Sequence, residues 1–339
     1  MAIEIVIGLP HLNEGPILAR ARRMVQPALI SANALSRWSK AKGWPEWRGW
    51  RLAQLANAQG LASLDLDSAG FVAMKRYGGY AWSVDDYFRL ATAYPFRRIA
   101  SLDYCTEHEI AGDREEVLDR ISRTIRANRD CRDRARDLGL ADRFMPVLQG
   151  RMPADYERCA EGLWWSMQPG TVVGVGSMCR REIAGPNGLV AVVAHLDRIL
   201  PTGVRLHIFG AKGAALPWLK DFGERVASID SQAYGIAARR DAHRRRVSKT
   251  DALVAEHLQR WTRLQFQRLR EPARRAAPIV APAIPELTLD PWEVAIAEAR
   301  AEIRALIESG DLEHDEMTIG WIEQWAADLY RTQLDRADA

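Results

Sequence analysis

Short runs of apolar residues recur along the chain, separated by longer stretches in which apolar positions return every three or four residues. That rhythm is one of strands alternating with helices. The apolar runs are Ala28 to Ala32, Leu61 to Leu66, Arg98 to Leu102, Phe144 to Leu148, Val172 to Val175, Val204 to Phe209 and Val226 to Ile229. Helical spacing marks Asp113 to Leu138, where Val117, Leu118, Ile121 and Ile125 form one stripe, and also Pro153 to Trp165, Leu189 to Leu200 and Leu216 to Phe222. Seven strand and helix units predict an α/β fold, a TIM-like (β/α)8 barrel rather than an open doubly wound sheet. The missing eighth strand is expected at Leu264 to Leu269.

A barrel of this kind runs to roughly 250 residues, so 339 residues leave room for an appendage. The stretch EPARRAAPIVAPAIPELTLDP holds Pro272, Pro278, Pro282, Pro285 and Pro291, which exclude a continuous helix. Beyond it Trp292, Ile296, Ala299, Ile303 and Leu306 return at helical spacing, as do Ile322, Trp325 and Leu329. The division predicted is a barrel over 1–265, a Pro-rich linker over 266–290 and a C-terminal helical segment over 291–339. Two amphipathic helices in that segment should dock on the barrel or on a partner.

Hydrophobic residues make up 47% and charged residues 27%, enough apolar material for a large core and too ordered a mixture for a disordered chain. The opening MAIEIVIGLPHLNEGP has no basic leader before its apolar run and does not read as a signal peptide. No apolar stretch nears the roughly 20 residues that span a bilayer, so a cytoplasmic protein without a membrane partner is expected. Cys105, Cys131, Cys159 and Cys179 lack the short paired spacings of zinc ribbons or redox dithiols. Net charge is +3, and of 47 basic residues only six are lysines. Arginine suits bidentate phosphate contact, but a biased genome gives the same excess, so charge alone does not define a partner.

The strand ends carry more. They read Asp67-Ser68-Ala69-Gly70-Phe71, Asp103-Tyr104-Cys105, Gln149-Gly150, Gly174-Val175-Gly176-Ser177, Gly210 and Asp230-Ser231. Barrel enzymes place their chemistry at that end of the strands. A single aspartate there can simply cap the next helix. Three of them with a glutamine, on separate strands and among glycines that admit a flat ligand, favour a common site.

These segments resemble the tRNA-guanine transglycosylase superfamily: DSAGF is similar to its DSGGF motif, SLDYC to FDEC, PVLQG to the VQGG-type motif and VGVGS to the GGL-type segment. ASIDSQAYG is similar to the stretch bearing the nucleophilic aspartate, and the likeness runs from about Ser31 to Gly235. The wording of LISANALS, SLDYCTEHEI and GVGSMCRREIAG places it nearest the branch that puts a deazapurine, 7-cyano-7-deazaguanine, into DNA. The resemblance implies Asp230 as covalent nucleophile and Asp67 as the acid and base that protonates the leaving guanine and deprotonates the incoming base. Asp103 would read the donor edge of the base and Gln149, followed by Gly150, would donate to O6. The backbone of Gly176 and Ser177 would meet the 7-substituent, and Phe71 and Phe209 would sandwich the ring, although both also suit an ordinary core.

One departure is clear: the tRNA enzymes carry a CxCxxC and His zinc site after the nucleophile, and no cysteine follows Cys179 here. No metal or other cofactor is expected, and DNA is favoured over tRNA as the polymer. Cys105 is expected to line the pocket rather than act as a nucleophile, and His207 to be a satisfied core histidine. Arg239, Arg240, Arg244, Arg245, Arg246 and Lys249 follow the nucleophile and read either as a solvated helix face or as the phosphate contact. Reaching C1′ within a duplex requires base flipping or helper proteins that open the strands. Alternatives left open are an RNA-directed enzyme, an inactive nucleic-acid-binding barrel, and an unrelated lyase or aldolase, for which Lys75 and Lys212 are poorly placed.

Overall fold

A computed structural model describes residues 3–41, 45–275, 291–309 and 319–337. Eleven strands occur in it: β1 (Glu4–Leu9), β2 (Ala28–Ser31), β3 (Ser36–Ser39), β4 (Glu46–Trp50), β5 (Leu64–Asp67), β6 (Ile99–Ala100), β7 (Phe144–Met145), β8 (Val147–Leu148), β9 (Val172–Val175), β10 (Arg205–Ile208) and β11 (Val226–Ser231). Nine of them form one parallel sheet in the order β7-β6-β5-β2-β1-β11-β10-β9-β8. The two ends of that order are neighbours in sequence, because β7 and β8 are one strand divided at Pro146. Ser101 N–H donates to Met145 O and Gly174 N–H to Pro146 O on its two sides. The sheet therefore closes on itself with eight staves, a TIM-like barrel.

The stave expected at Leu264 to Leu269 is not a strand; those residues lie in the helix Asp251–Arg270. Its place is taken by β1, paired to β2 on one side and to β11 on the other. The segment EIVIGL is apolar and β-branched enough to be a strand, and Leu264 to Leu269 is interrupted by Gln265, Gln267 and Arg268, which suit a helix with one buried stripe. The same helix runs across position 265, and residues 276–290 of the Pro-rich stretch lie outside the described residues.

Strand alternation sorts the side chains. Leu64, Leu66, Ile99, Val173, Val175, Leu206, Ile208 and Ile229 face outward and are buried against the surrounding helices. The residues between them face inward: Asp65 and Asp67, Arg98 and Ala100, Gly174, His207, Ser228 and Asp230. Near the bottom Arg97 binds both Glu4 at 2.8 Å and Asp65 at 2.6 Å, joining three staves. Ala100, Met145 and Val147 pack with Val172 and Phe209 above that ionic floor.

Helices stand at Arg114–Asp137, begun by the Asp113 carboxylate accepting Glu116 N–H at 2.8 Å, and at Leu189–Ile199. The helix expected at Pro153 to Trp165 ends at Gly162, and the one expected at Leu216 to Phe222 is a single α-turn, Leu216–Leu219, that tightens to 3-10 geometry. The two C-terminal helices, Pro291–Ser309 and Ile319–Ala337, pack on each other through Ile296, Ile303 and Ile322. They dock on the barrel helix Pro153–Gly162, where Arg300 meets the buried Glu161 at 3.0 Å and Glu323 meets Arg158 at 3.7 Å. A two-stranded hairpin, β3 with β4, rises after β2 and was not anticipated from the sequence. No described helix is long and apolar enough to cross a membrane.

Candidate active site

A cavity of about 650 Å³ opens where the inward-facing rows reach the carboxyl ends of the strands. Asp67, Phe71, Asp103, Gln149, Gly176, Ser177, Phe209 and Asp230 all line it, as do Cys105, Arg239 and Lys249. Strands on opposite sides of the sheet order thus bring three carboxylates into one chamber. Gly150 is not in that wall; its carbonyl accepts from Arg181 at 3.0 Å beside the start of the helix Pro153–Gly162.

Asp67 ends β5 and accepts Ala69 N–H at 3.2 Å. Loss of water around it, reinforced by the charges of Asp103 and then Asp230, pushes its carboxyl up to about 7. A group poised there holds or releases a proton near neutrality, as acid and base work requires. The turn that aims it is strained: Ala69 sits at φ 74, in the left-handed region. Ser177 at φ 53 is a second strained residue in the same wall.

Asp103 is held from several sides. Ser68 Oγ donates to its Oδ1, Gln149 Nε2 donates to its Oδ2, and Tyr80 Oη donates to its backbone O at 2.9 Å while accepting its N–H at 3.1 Å. Burial raises its carboxyl above the ordinary range while the Ser68 and Gln149 bonds oppose that rise. Gly70 lies so close that a Cβ there would stand 2.8 Å from both the carbonyl and a carboxylate oxygen of Asp103. Gln149 keeps a second N–H for a ligand, since its other N–H is on Asp103 and its Oε1 accepts from Ser177 Oγ at 2.6 Å.

Asp230, on the closing strand, is paired in register with Val6. Its Oδ1 accepts Gly210 N–H at 2.9 Å, and His207 Nε2 lies 3.5 Å from the same oxygen. Gly210 is left-handed at φ 61, and a Cβ there would meet Cys179 at 2.5 Å, so only glycine presents that N–H. His207 is fully buried, yet it adjoins the predicted nucleophile instead of serving only the core.

Several cavity residues escaped the sequence reading. Glu107 lines the wall with a carboxylate oxygen 3.0 Å from Ser177 Oγ, and the Arg180 guanidinium lies 5.3 Å over the Phe71 ring. Tyr80, which fixes Asp103, lies in no motif, and Ser68, which also fixes it, lies in DSAGF without a role of its own there. Cys105 is a wall residue whose thiol is raised well above its ordinary range by burial. Among the described residues no group of three or more His, Cys, Asp or Glu side chains is gathered as a metal cage.

The basic run divides. Arg239 and Lys249 line the cavity mouth, whereas Arg244 and Arg245 bind Asp241 at 2.7 and 3.2 Å. The His257 and Arg244 hydrogen bonds hold that aspartate down at about 2. Arg240 is exposed outside the cavity wall, and Arg246 ends the helix Ala233–Arg245 in the left-handed region.

A closed parallel barrel with acidic strand ends around one chamber has the build of a tRNA-guanine transglycosylase-like protein. The family model described as DeoxyPurine in DNA protein A, DpdA, matches residues 33–312, and the chain belongs to that family. No curated protein matches the chain. Membership makes it a transglycosylase-type transferase of DNA deazapurine modification, with DNA as its nucleic acid.

Proposed function

We propose that the protein exchanges guanine in DNA for a 7-deazaguanine, 7-cyano-7-deazaguanine, through an aspartyl-glycosyl intermediate on Asp230. The observation that carries this reading is the pairing of two unlike carboxylates in one cavity. Asp67 is raised to about 7, and Asp230 has one oxygen held by Gly210 N–H and the other without a hydrogen-bond partner among the described residues.

In the exchange, Asp230 Oδ2 forms a bond to C1′ as the bond from C1′ to the guanine N9 breaks, and protonated Asp67 delivers its proton to the departing base. The incoming deazaguanine gives its N9 proton back to Asp67, and N9 displaces Asp230 from C1′. Asp103 accepts from the N1–H and amino edge, and the second N–H of Gln149 meets O6. Arg239 and Lys249 meet flanking phosphates. No metal or cofactor has a part in these steps. Helper proteins that open the strands, and a cytoplasmic location, belong to the same reading.

The test is incubation of the purified chain with labelled guanine or 7-cyano-7-deazaguanine and single-stranded DNA, duplex DNA or tRNA. Label is expected in DNA and absent from DNA with Asp230→Asn. Label in tRNA alone would move the chemistry to the other polymer, and label in neither would overturn the proposal.

A further inference from the structure

The barrel wall behind the cavity holds an imidazole whose neighbours fix its proton. His207 on β10 pairs in register with Ser228 on β11, and its Nδ1 lies 2.8 Å from Ser228 Oγ. Arg98 Nη1 donates to that same oxygen at 3.0 Å. A guanidinium can only donate, so Ser228 Oγ accepts from Arg98 and its own hydrogen needs an acceptor. His207 Nδ1 is the one in reach among the described residues. With Nδ1 accepting, the neutral ring carries its proton on Nε2.

That nitrogen is buried, has no hydrogen-bond partner among the described residues, and faces Asp230 Oδ1 at 3.5 Å. Phe209 stands edge-on to the imidazole, with ring centroids 4.6 Å apart at 86°, and restrains it from swinging away. Oδ1 is thus approached by two donors, Gly210 N–H and His207 Nε2–H, from two sides.

We propose that His207 is a positioning residue for the nucleophile, an inference that rests on the assignment of Asp230 above. Its Nε2–H closes on Oδ1 when substrate fills the cavity and excludes water, since a buried N–H without an acceptor is costly. Two donors on Oδ1 fix the carboxylate plane and leave Oδ2 as the oxygen aimed at C1′. Arg98 and Ser228 act one step further back by holding the imidazole in the tautomer that can donate.

The experiment compares His207→Leu, His207→Gln and Ser228→Ala in the full chain. The readouts are kcat and KM for exchange of labelled guanine into a single-stranded DNA oligonucleotide, base affinity by calorimetry and the thermal midpoint. His207→Leu is expected to lower kcat by about 10- to 100-fold, the scale of a misplaced reacting group, with base affinity unchanged. His207→Gln, which keeps an N–H, should recover part of that loss, and Ser228→Ala, which frees the tautomer, should lose less than His207→Leu.

Wild-type kcat in a folded His207→Leu overturns the proposal. So does a loss that Gln does not rescue and that follows the thermal midpoint, because a packing role would produce it. Asp230→Asn is run beside them: if it still exchanges base, the nucleophile assignment falls and takes this inference with it. If Asp230→Asn is inactive and His207→Leu is not impaired, the positioning role alone falls.

Discussion

Gly210 N–H donates to Oδ1 of Asp230 at 2.9 Å, so a residue two positions beyond β10 holds the carboxylate at the end of β11. Asp230→Asn retains the shape and can still accept at that oxygen, but a carboxamide is a poor nucleophile. Exchange should fall to background with the thermal midpoint and base affinity little changed. Turnover near the wild-type rate, measured by label in DNA, would remove Asp230 from the covalent step.

The raised carboxyl of Asp67 ties both activity and stability to pH. Between its ordinary value of 3.8 and about 7, the folded protein keeps a proton that the unfolded chain has lost. Stability owed to Asp67 is therefore full below about pH 4 and is lost as pH rises through about 7. Denaturant midpoints should decline over that window in the wild type and decline less in Asp67→Asn. kcat should also fall as pH rises past about 7, because the proton destined for the leaving base is gone.

At Ala69 the strain can be relieved. A non-glycine residue at φ 74 costs about 1–2 kcal/mol, offset in part by the greater unfolded-state freedom of glycine. Ala69→Gly should raise stability by about 0.5–1 kcal/mol, read from urea unfolding. A loss of stability would mean that the alanine methyl, which is buried, contributes more than the strain costs.

The two halves of the basic run should separate in salt titrations. Arg239→Ala with Lys249→Ala should flatten the log-log salt dependence of duplex DNA binding by up to about 0.9 per lost phosphate contact. Arg244→Ala with Arg245→Ala should change the slope less, because both guanidinium groups are engaged by Asp241. Slopes unchanged from the wild type in both double variants would return the run to a solvated helix face.

Asp103→Ala should weaken both base binding and the barrel. It leaves the donors of Ser68, Gln149 and the bound base without their acceptor, at a typical cost of about 1–3 kcal/mol per buried group. Calorimetry with free deazaguanine checks this, and an unchanged affinity would exclude Asp103 from base recognition.

Much of this architecture was legible because parallel strands buried on both faces write themselves as short apolar runs, and seven of them stood out. The eighth did not, since the pairing of EIVIGL with β11 has no local signature. The strand-end aspartates and Phe71 and Phe209 could be read from their motifs, and all reach the cavity. The roles of Glu107, Tyr80 and Ser68 could not be, because they lie in contacts across the fold, such as Tyr80 with Asp103. His207 was legible as a buried histidine, but its neighbour Asp230 is set by register between two strands, which spacing along the chain does not reveal.

The pairing of Glu4 with Ser228 also bears on how the molecule is made. β1 finds its second neighbour only after more than two hundred further residues have been synthesised, and contacts of such sequence separation slow folding. Until β11 arrives, β1 presents an unpaired apolar edge, the kind of surface that invites association between nascent chains. The catalytic constellation would then be the last part of the barrel to form, so slowed translation or early release should yield chains with most helices in place and no nucleophile in position.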